Sequence, residues 1–246
     1  MIMDTCGPYT DIAPLYDSLL RHVDYQEWYE YIVRIMKRHV KEPKAILELG
    51  CGTGRFGAKF SNDGYTIFGM DRSMEMLRVA RTRAFFNFRI LCGDITRFSL
   101  VGKMDFIFSV HDTMNYLLED ADINRVCRCA REALSPPGAF MFDITTEYNI
   151  RKNFNGKTTR YQIRDCAVNW SNRYDEDKKL VYSTLDITRR GKSSTEVHVQ
   201  RIYTVEEMER LVEDGGLAIV GIFGDYTLKP PRDDTIMVNF ITRPPK

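Results

Sequence analysis

Ala45-Ile46-Leu47-Glu48-Leu49-Gly50-Cys51-Gly52-Thr53-Gly54-Arg55 decides how this chain folds, because an apolar run passes through one acid straight into three glycines at every second position. Glycines at that density weaken a helix start unless something approaches the backbone closely. They allow a tight strand-to-helix turn, leave room for a ligand against the main chain, and aim helix N-terminal amides at it. The spacing therefore predicts a cofactor-binding turn at Gly50, Cys51, Gly52 and Gly54. Asp71 closes the next apolar run, Tyr65-Thr66-Ile67-Phe68-Gly69-Met70. Its carboxylate then falls at the carboxyl end of a neighbouring strand, where it can accept both hydroxyls of a ribose.

From residue 44 onward short apolar runs alternate with helical segments, the pattern of a parallel sheet with crossovers. Strands are expected near 44–49, 65–70, 88–92, 104–110 and 138–144. Ser73 with Glu75 opens a helix, and another runs over 121–134 until Pro136 and Pro137 stop it. Ahead of the glycine turn, 9–20 and 23–33 both read as helical, the second with Asp24 as N-cap and Trp28, Ile32, Ile35 and Met36 at three- and four-residue steps. After Ile144 the rhythm changes to alternating runs at 161–170, 180–188 and 196–203, read as antiparallel strands added to the main sheet. Thr204 to Glu207 is a capping-box helix start, Gly215-Gly216 ends that helix, and runs at 217–223 and 235–242 complete the sheet.

The chain has 246 residues, 43% of them hydrophobic, enough for one large core with a modest appendage. Thirty-five basic against thirty-four acidic residues leave a net charge of +1, so no global field draws in nucleic acid. Six cysteines are scattered without paired metal-ligand spacing. Cys127 and Cys129 point about 200° apart on a helix, which argues against a shared metal, and no metal site is expected. No apolar stretch approaches the roughly 18 residues of a membrane span, and no charged segment followed by an apolar run opens the chain. A soluble, unprocessed cytoplasmic protein is the expectation.

Gly52-Thr53-Gly54-Arg55-Phe56-Gly57 also fits a dinucleotide fingerprint, so an NAD-dependent oxidoreductase is the alternative enzyme reading. Against it, Glu48 precedes the first glycine by two, and a dinucleotide offers no cation there for an acid to meet. Taken together, the glycine turn, Glu48 and Asp71 closely resemble the class I S-adenosylmethionine-dependent methyltransferases. The lead Tyr16-Asp17-Ser18-Leu19 followed by Asp24-Tyr25-Gln26-Glu27-Trp28, with Asn115-Tyr116-Leu117 later, is similar to a small-molecule subset that methylates N or O of amino sugars or other metabolites. The resemblance spans essentially the whole chain, strongest over 45–144 and weakest in the insert.

That resemblance implies a Rossmann-like α/β fold with a mostly parallel seven-stranded sheet flanked by helices. The parts are a helical lid (1–42), a cofactor-binding core (43–145), an antiparallel β insert after the fifth strand (146–203) and the end of the core sheet (204–246). It implies S-adenosyl-L-methionine as cofactor and S-adenosyl-L-homocysteine as product, with Glu48 near the ammonium and Asp94 accepting from the adenine amino group. The Ile95 amide would reach a ring nitrogen, and Met76 would pack under the adenine. Arg72 departs from the apolar residue usual after the ribose-binding acid; its stem would cover the adenine face or its head reach solvent. Tyr9, Tyr16 and Tyr25 in the lid become candidates to touch cofactor or substrate, and Asn115 and Tyr116 line the acceptor pocket.

Residues just after each strand carry the chemistry in such sheets. His111, after the fourth strand, faces the cofactor's sulfonium and is the best-placed general base, since an unperturbed imidazole titrates near neutrality. His198 and Tyr203 in the insert could supply substrate contacts. Besides small-molecule methylation, three readings stay open: the NAD oxidoreductase, a tRNA or protein methyltransferase, and a cofactor-binding module without catalysis. A monomer, or a homodimer through the insert, is expected.

Overall fold

A computed structural model describes residues 4–245. The main sheet is built from β2 (Ala45–Leu49), β3 (Thr66–Asp71), β4 (Phe88–Cys92), β5 (Met104–Ser109) and β6 (Leu134–Thr145), with β11 (Ala218–Gly224) and β12 (Met237–Arg243). Its seven strands run in the order β11-β12-β6-β5-β2-β3-β4, parallel throughout except that β12 runs antiparallel to both of its neighbours. Strand order therefore reverses at β2, and the carboxyl ends of β2 and β5 frame the crevice where such sheets bind ligands.

Helices cover both faces because their apolar stripes find the sheet. On one side α2 (Tyr25–His39) and α3 (Arg55–Asn62) pack Ile32, Ile35, Met36, Phe56 and Phe60 against Ile46, Ile67 and Phe106. On the other, α5 (Asp120–Ala133) and α7 (Val205–Asp214) pack Ile123, Val126, Leu211 and Val212 against Leu47, Phe140 and Phe240. Asp24 caps α2 by accepting from the amides of Gln26 and Glu27, and Thr204 with Glu207 closes the capping box of α7. Among the described residues no helix is long and apolar enough to cross a membrane.

The insert differs from the expectation in a way that matters. β7 (Thr158–Ile163), β8 (Cys166–Asp175), β9 (Leu180–Arg189) and β10 (Lys192–Arg201) form a separate antiparallel sheet, and β1 (Asp4–Cys6) joins it parallel to β10. β6 is already paired on both sides, by β5 and β12, so no edge beside it is free to receive the insert. The run at 161–170 is two strands, not one, because Arg164 turns with φ at +53° between β7 and β8. The lead at 9–20 is not a continuous helix either. A 3-10 turn over Ala13–Leu15 leads into the short α1 (Tyr16–Leu19), while residues 9–12 turn their amides outward onto Glu196. Ile12 and Leu19 pack on Val168, Leu185 and Ile187, which fastens the lead over the second sheet.

Candidate active site

The turn after β2 is built by glycine geometry. Gly50, Gly52 and Gly54 hold φ of +72°, +52° and +76°, conformations costly for any residue with a Cβ. A Cβ on Gly50 would sit 2.5 Å from Thr113 Cγ2, whereas one on Gly52 would meet nothing within 4 Å. Gly52 therefore presents bare backbone to an open space. Asp71 secures it: Oδ2 accepts the Gly52 amide at 2.8 Å and Oδ1 the Ser73 amide at 2.8 Å. Burial raises the Asp71 carboxyl, opposed by the amide bonds from Ser73 and Gly52.

Gly50, Gly52, Asp71, Arg72 and Met76 line a cavity of about 110 Å³, closed on its far side by Gly93, Asp94 and Ile95. Burial raises the Asp94 carboxyl, but the amide and hydroxyl of Thr96 outweigh it and hold the group below its ordinary value. Three other residues expected at the cofactor, Glu48, Cys51 and Gly54, stand behind this surface. Glu48 is buried beneath the turn, where desolvation raises its carboxyl well above normal and Oε2 has no hydrogen-bond partner. The Cys51 side chain faces Gly69, and Gly54 faces Ala80 and Phe88.

A second cavity of about 440 Å³ lies between the crevice and the second sheet. Tyr9, Tyr16, His111 and Tyr116 line both cavities and form the partition between them. His111 and Asp112 take φ of +61° and +49°, held there because the carboxylate of Asp143 accepts both their amides, at 3.0 and 2.7 Å. Burial, followed by the charge of Arg55, lowers the His111 imidazole to about 3. Its Nε2 is without a hydrogen-bond partner, and Trp28 and Tyr25 crowd the ring at centroid distances of 4.5 and 5.1 Å. Such a ring stays neutral at working pH. Tyr25 lines neither cavity; it supports His111 from behind with the Arg55 guanidinium 3.6 Å above its own ring.

Of the acceptor candidates, Tyr116 and His198 reach the larger cavity. Asn115 and Tyr203 do not: the Asn115 amide ties Thr145 N at 2.9 Å to Arg201 O at 2.7 Å, and the Tyr203 hydroxyl donates to Leu117 O. Sequence reasoning placed Asp112 only within the run 110–116 that follows the fourth strand and gave it no role of its own; it lines the cavity, takes a hydrogen bond from Gln200, and is raised by burial to about 6. Sequence reasoning overlooked Asp143. The signal was available, since Asp143 interrupts the apolar run Ala139-Phe140-Met141-Phe142-Asp143-Ile144 as Glu48 interrupts its own.

Residues 46–138 match the family model described as a methyltransferase domain. The match takes in the glycine turn, Asp71, Asp94 and the His111 turn. Those residues carry a methyltransferase domain, and the chain is an S-adenosylmethionine-dependent enzyme. It is 27% identical over 232 residues to the putative methyltransferase YqeM of Bacillus subtilis (strain 168), covering 91% of this chain and 92% of that one. In fold it is similar to an S-adenosylmethionine-dependent methyltransferase from Clostridium acetobutylicum ATCC 824, with TM-score 0.83 and 24% identity over 97% and 99% of the two chains. It is also similar to the sugar N-methyltransferase KedS8 from Streptoalloteichus sp ATCC 53650, with TM-score 0.76 and 16% identity over 100% and 99%. The family sets aside the dinucleotide reading of the same glycines. The open Gly52 backbone and the buried Asp71 carboxylate stand side by side in the lining of the smaller cavity.

Proposed function

We propose that this methyltransferase transfers the methyl group to the nitrogen of a small, polar, ring-shaped amine held in the larger cavity. The observation that carries the reading is the shared partition: an acceptor in the cavity of about 440 Å³ meets a donor in the smaller one only at Tyr9, Tyr16, His111 and Tyr116. Asp112 is the sole carboxylate lining the larger cavity among the described residues, and it stands at that junction. A buried acid without a cation is costly, and an ammonium would supply the missing charge. Trp28, Tyr161 and Trp170 offer ring faces, while Asn149, Asn172 and Ser183 offer hydrogen bonds to hydroxyls, a mixture that suits an amino sugar. The fold neighbour that is a sugar N-methyltransferase agrees with this choice.

The bound cofactor supplies a methyl carbon already activated by a positively charged sulfur. The chain's task is then to bind, align and exclude water. In this reading Asp71 holds the ribose hydroxyls, Asp94 and the Ile95 amide hold the adenine, Met76 packs beneath it, and the Gly52 backbone lets the ligand lie close. Residues 4–42, the described part of the expected 1–42 lid, cover the crevice, and the second sheet closes the acceptor side. A cavity of about 440 Å³ suits a small molecule better than tRNA or protein. Incubating the protein with S-adenosylmethionine and paired acceptors, glucosamine against glucose and galactosamine against galactose, tests it by mass spectrometry. Products heavier by one methyl group should form only from the amines. Methylation of the hydroxyl-only sugars, or of neither set, would overturn the amine assignment.

A further inference from the structure

Tyr9, Tyr116, His198 and Glu196 form one unbroken chain of hydrogen bonds that begins at the partition and ends on a carboxylate buried in the second sheet. The Tyr9 and Tyr116 hydroxyls lie 2.7 Å apart, Tyr116 Oη lies 2.9 Å from His198 Nδ1, and His198 Nε2 lies 3.1 Å from Glu196 Oε2. We propose that this chain is a proton relay that takes the proton released by the acceptor during methyl transfer and stores it on His198. The proposal rests on the reading of the larger cavity as the acceptor site.

The direction of the relay follows from Glu196. Its side chain is fully buried, and its two oxygens accept the backbone amides of Tyr9 at 2.8 Å, Thr10 at 3.1 Å and Ile12 at 2.9 Å, with the Asp11 amide as a further donor. A carboxylate surrounded by donors has only acceptor capacity left, so the His198 Nε2 must carry hydrogen and donate to it. Nδ1 is then a bare lone pair, and the Tyr116 hydroxyl must donate to it. Tyr116 accepts from Tyr9 in turn, which leaves the Tyr9 oxygen with lone pairs facing the cavities it lines. Every donor along the line points the same way, toward His198.

The step balances without an outside reactant. The acceptor ammonium gives its proton to Tyr9 Oη as the Tyr9 proton passes to Tyr116 and the Tyr116 proton passes to His198 Nδ1. The freed nitrogen lone pair forms the bond to the methyl carbon, and the electron pair of the broken carbon–sulfur bond stays on sulfur. The charge that arrives on the imidazole is met by Glu196, with which it forms a buried pair already supplied with hydrogen bonds. Tyr9 also stands edge-on to the imidazole at 4.6 Å between centroids, which holds the ring in place. The arrangement gives a role to an ordered tyrosine pair that cofactor binding alone does not need, and it relieves His111 of a task that its buried, neutral ring is poorly placed to perform.

The groups facing the imidazole are Glu196 on its own strand, Tyr9 from the lead and Tyr116 from the turn after β5, with Asp112 beyond Gln200; β9 places the non-titrating Ser183 opposite. The test is nitrogen-15 NMR of the full-length, histidine-labelled protein saturated with S-adenosylhomocysteine, which needs no acceptor. At neutral pH, His198 should show a bare Nδ1 and a protonated Nε2. With carbon-13 at the tyrosine Cζ positions, Tyr116 should respond at the same midpoint as His198 during a pH titration, and in Tyr116→Phe the Tyr9 signal should lose that response. A proton on Nδ1, or Tyr116 and His198 titrating independently, would overturn the relay whatever the acceptor proves to be. In turnover with an amine that the sugar pairs identify, His198→Gln should lower kcat at least 30-fold and leave KM within twofold.

Discussion

The carboxylate of Asp143 accepts the main-chain amide of Asp112 at 2.7 Å, and that bond fixes the turn on which the two cavities meet. The His111 amide reaches the second oxygen at 3.0 Å, and the Tyr226 hydroxyl donates to that same atom. Two consecutive left-handed residues are unfavourable on their own, so the turn keeps its shape through an acid that the neighbouring strand β6 supplies. The device places Asp112 in the larger cavity and His111 against both cavities.

Asp143 also makes stability depend on pH, with a sign that can be worked out. Burial, opposed by the Tyr226 hydrogen bond, pushes its carboxyl up to about 7, and burial pushes Asp112 up to about 6. An unfolded aspartate titrates near pH 3.9, so between about pH 4 and 7 the folded protein holds protons that the unfolded chain has released. Their contribution is complete below about pH 4 and is lost as pH rises toward 7. His111, lowered by burial to about 3, has the opposite sign and adds stability as pH rises to about 6.5. Asp143→Asn removes one term of the first kind. Thermal melts should find the variant furthest below the parent at pH 5, with the gap closing by pH 8; a gap that widens over that range would contradict the assignment.

Asp71→Ala should weaken S-adenosylhomocysteine binding more than tenfold by calorimetry. Each hydrogen bond to a charged acceptor is worth about 1.5 to 3 kcal/mol, and the change also frees the Gly52 amide that Asp71 now holds at 2.8 Å. Affinity equal to the parent's would remove the ribose from this carboxylate.

Much of the turn was legible in the sequence, and the boundary between what was and was not has a physical basis. Gly50, Gly52 and Asp71 could be read because a strand, a tight turn and the end of the next strand are local features with strong residue preferences. Glu196 could not, because its partners at residues 9–12 are more than 180 positions away and take part through backbone amides, which every residue type carries. The 9–20 segment looked helical for the same reason, since its apolar spacing was visible and the carboxylate that unwinds its start was not. Asn115 and Tyr203 were read as acceptor contacts from their place in the chain, yet each turns its polar end to a neighbouring backbone group instead.

Gly52→Val should abolish S-adenosylhomocysteine binding and leave the protein folded. Nothing lies within 4 Å of the added Cβ, so the side chain enters the ligand's space rather than the core. The left-handed φ of +52° adds a strain of about 1 to 2 kcal/mol, which lowers the melting temperature by a few degrees without unfolding the domain. Retained binding would mean that the ligand does not approach this backbone.

Glu196→Ala tests how the lead is fastened over the cavities. The side chain is fully buried and serves the amides of Tyr9, Thr10, Asp11 and Ile12, so its removal strands several donors at once. Losing even one bond to a buried charged acceptor costs about 1.5 to 3 kcal/mol. Hydrogen exchange should show the amides at 9–12 opening at least tenfold faster, while those in the middle of α2, which rest on their own helix, keep the parent's protection. Glu196→Gln keeps one acceptor oxygen and should fall between the two, which separates loss of the latch from general unfolding if the alanine variant proves too unstable to purify. Unchanged exchange at 9–12 in both variants would mean that packing of Ile12 and Leu19 on Val168 and Leu185 holds the lead alone.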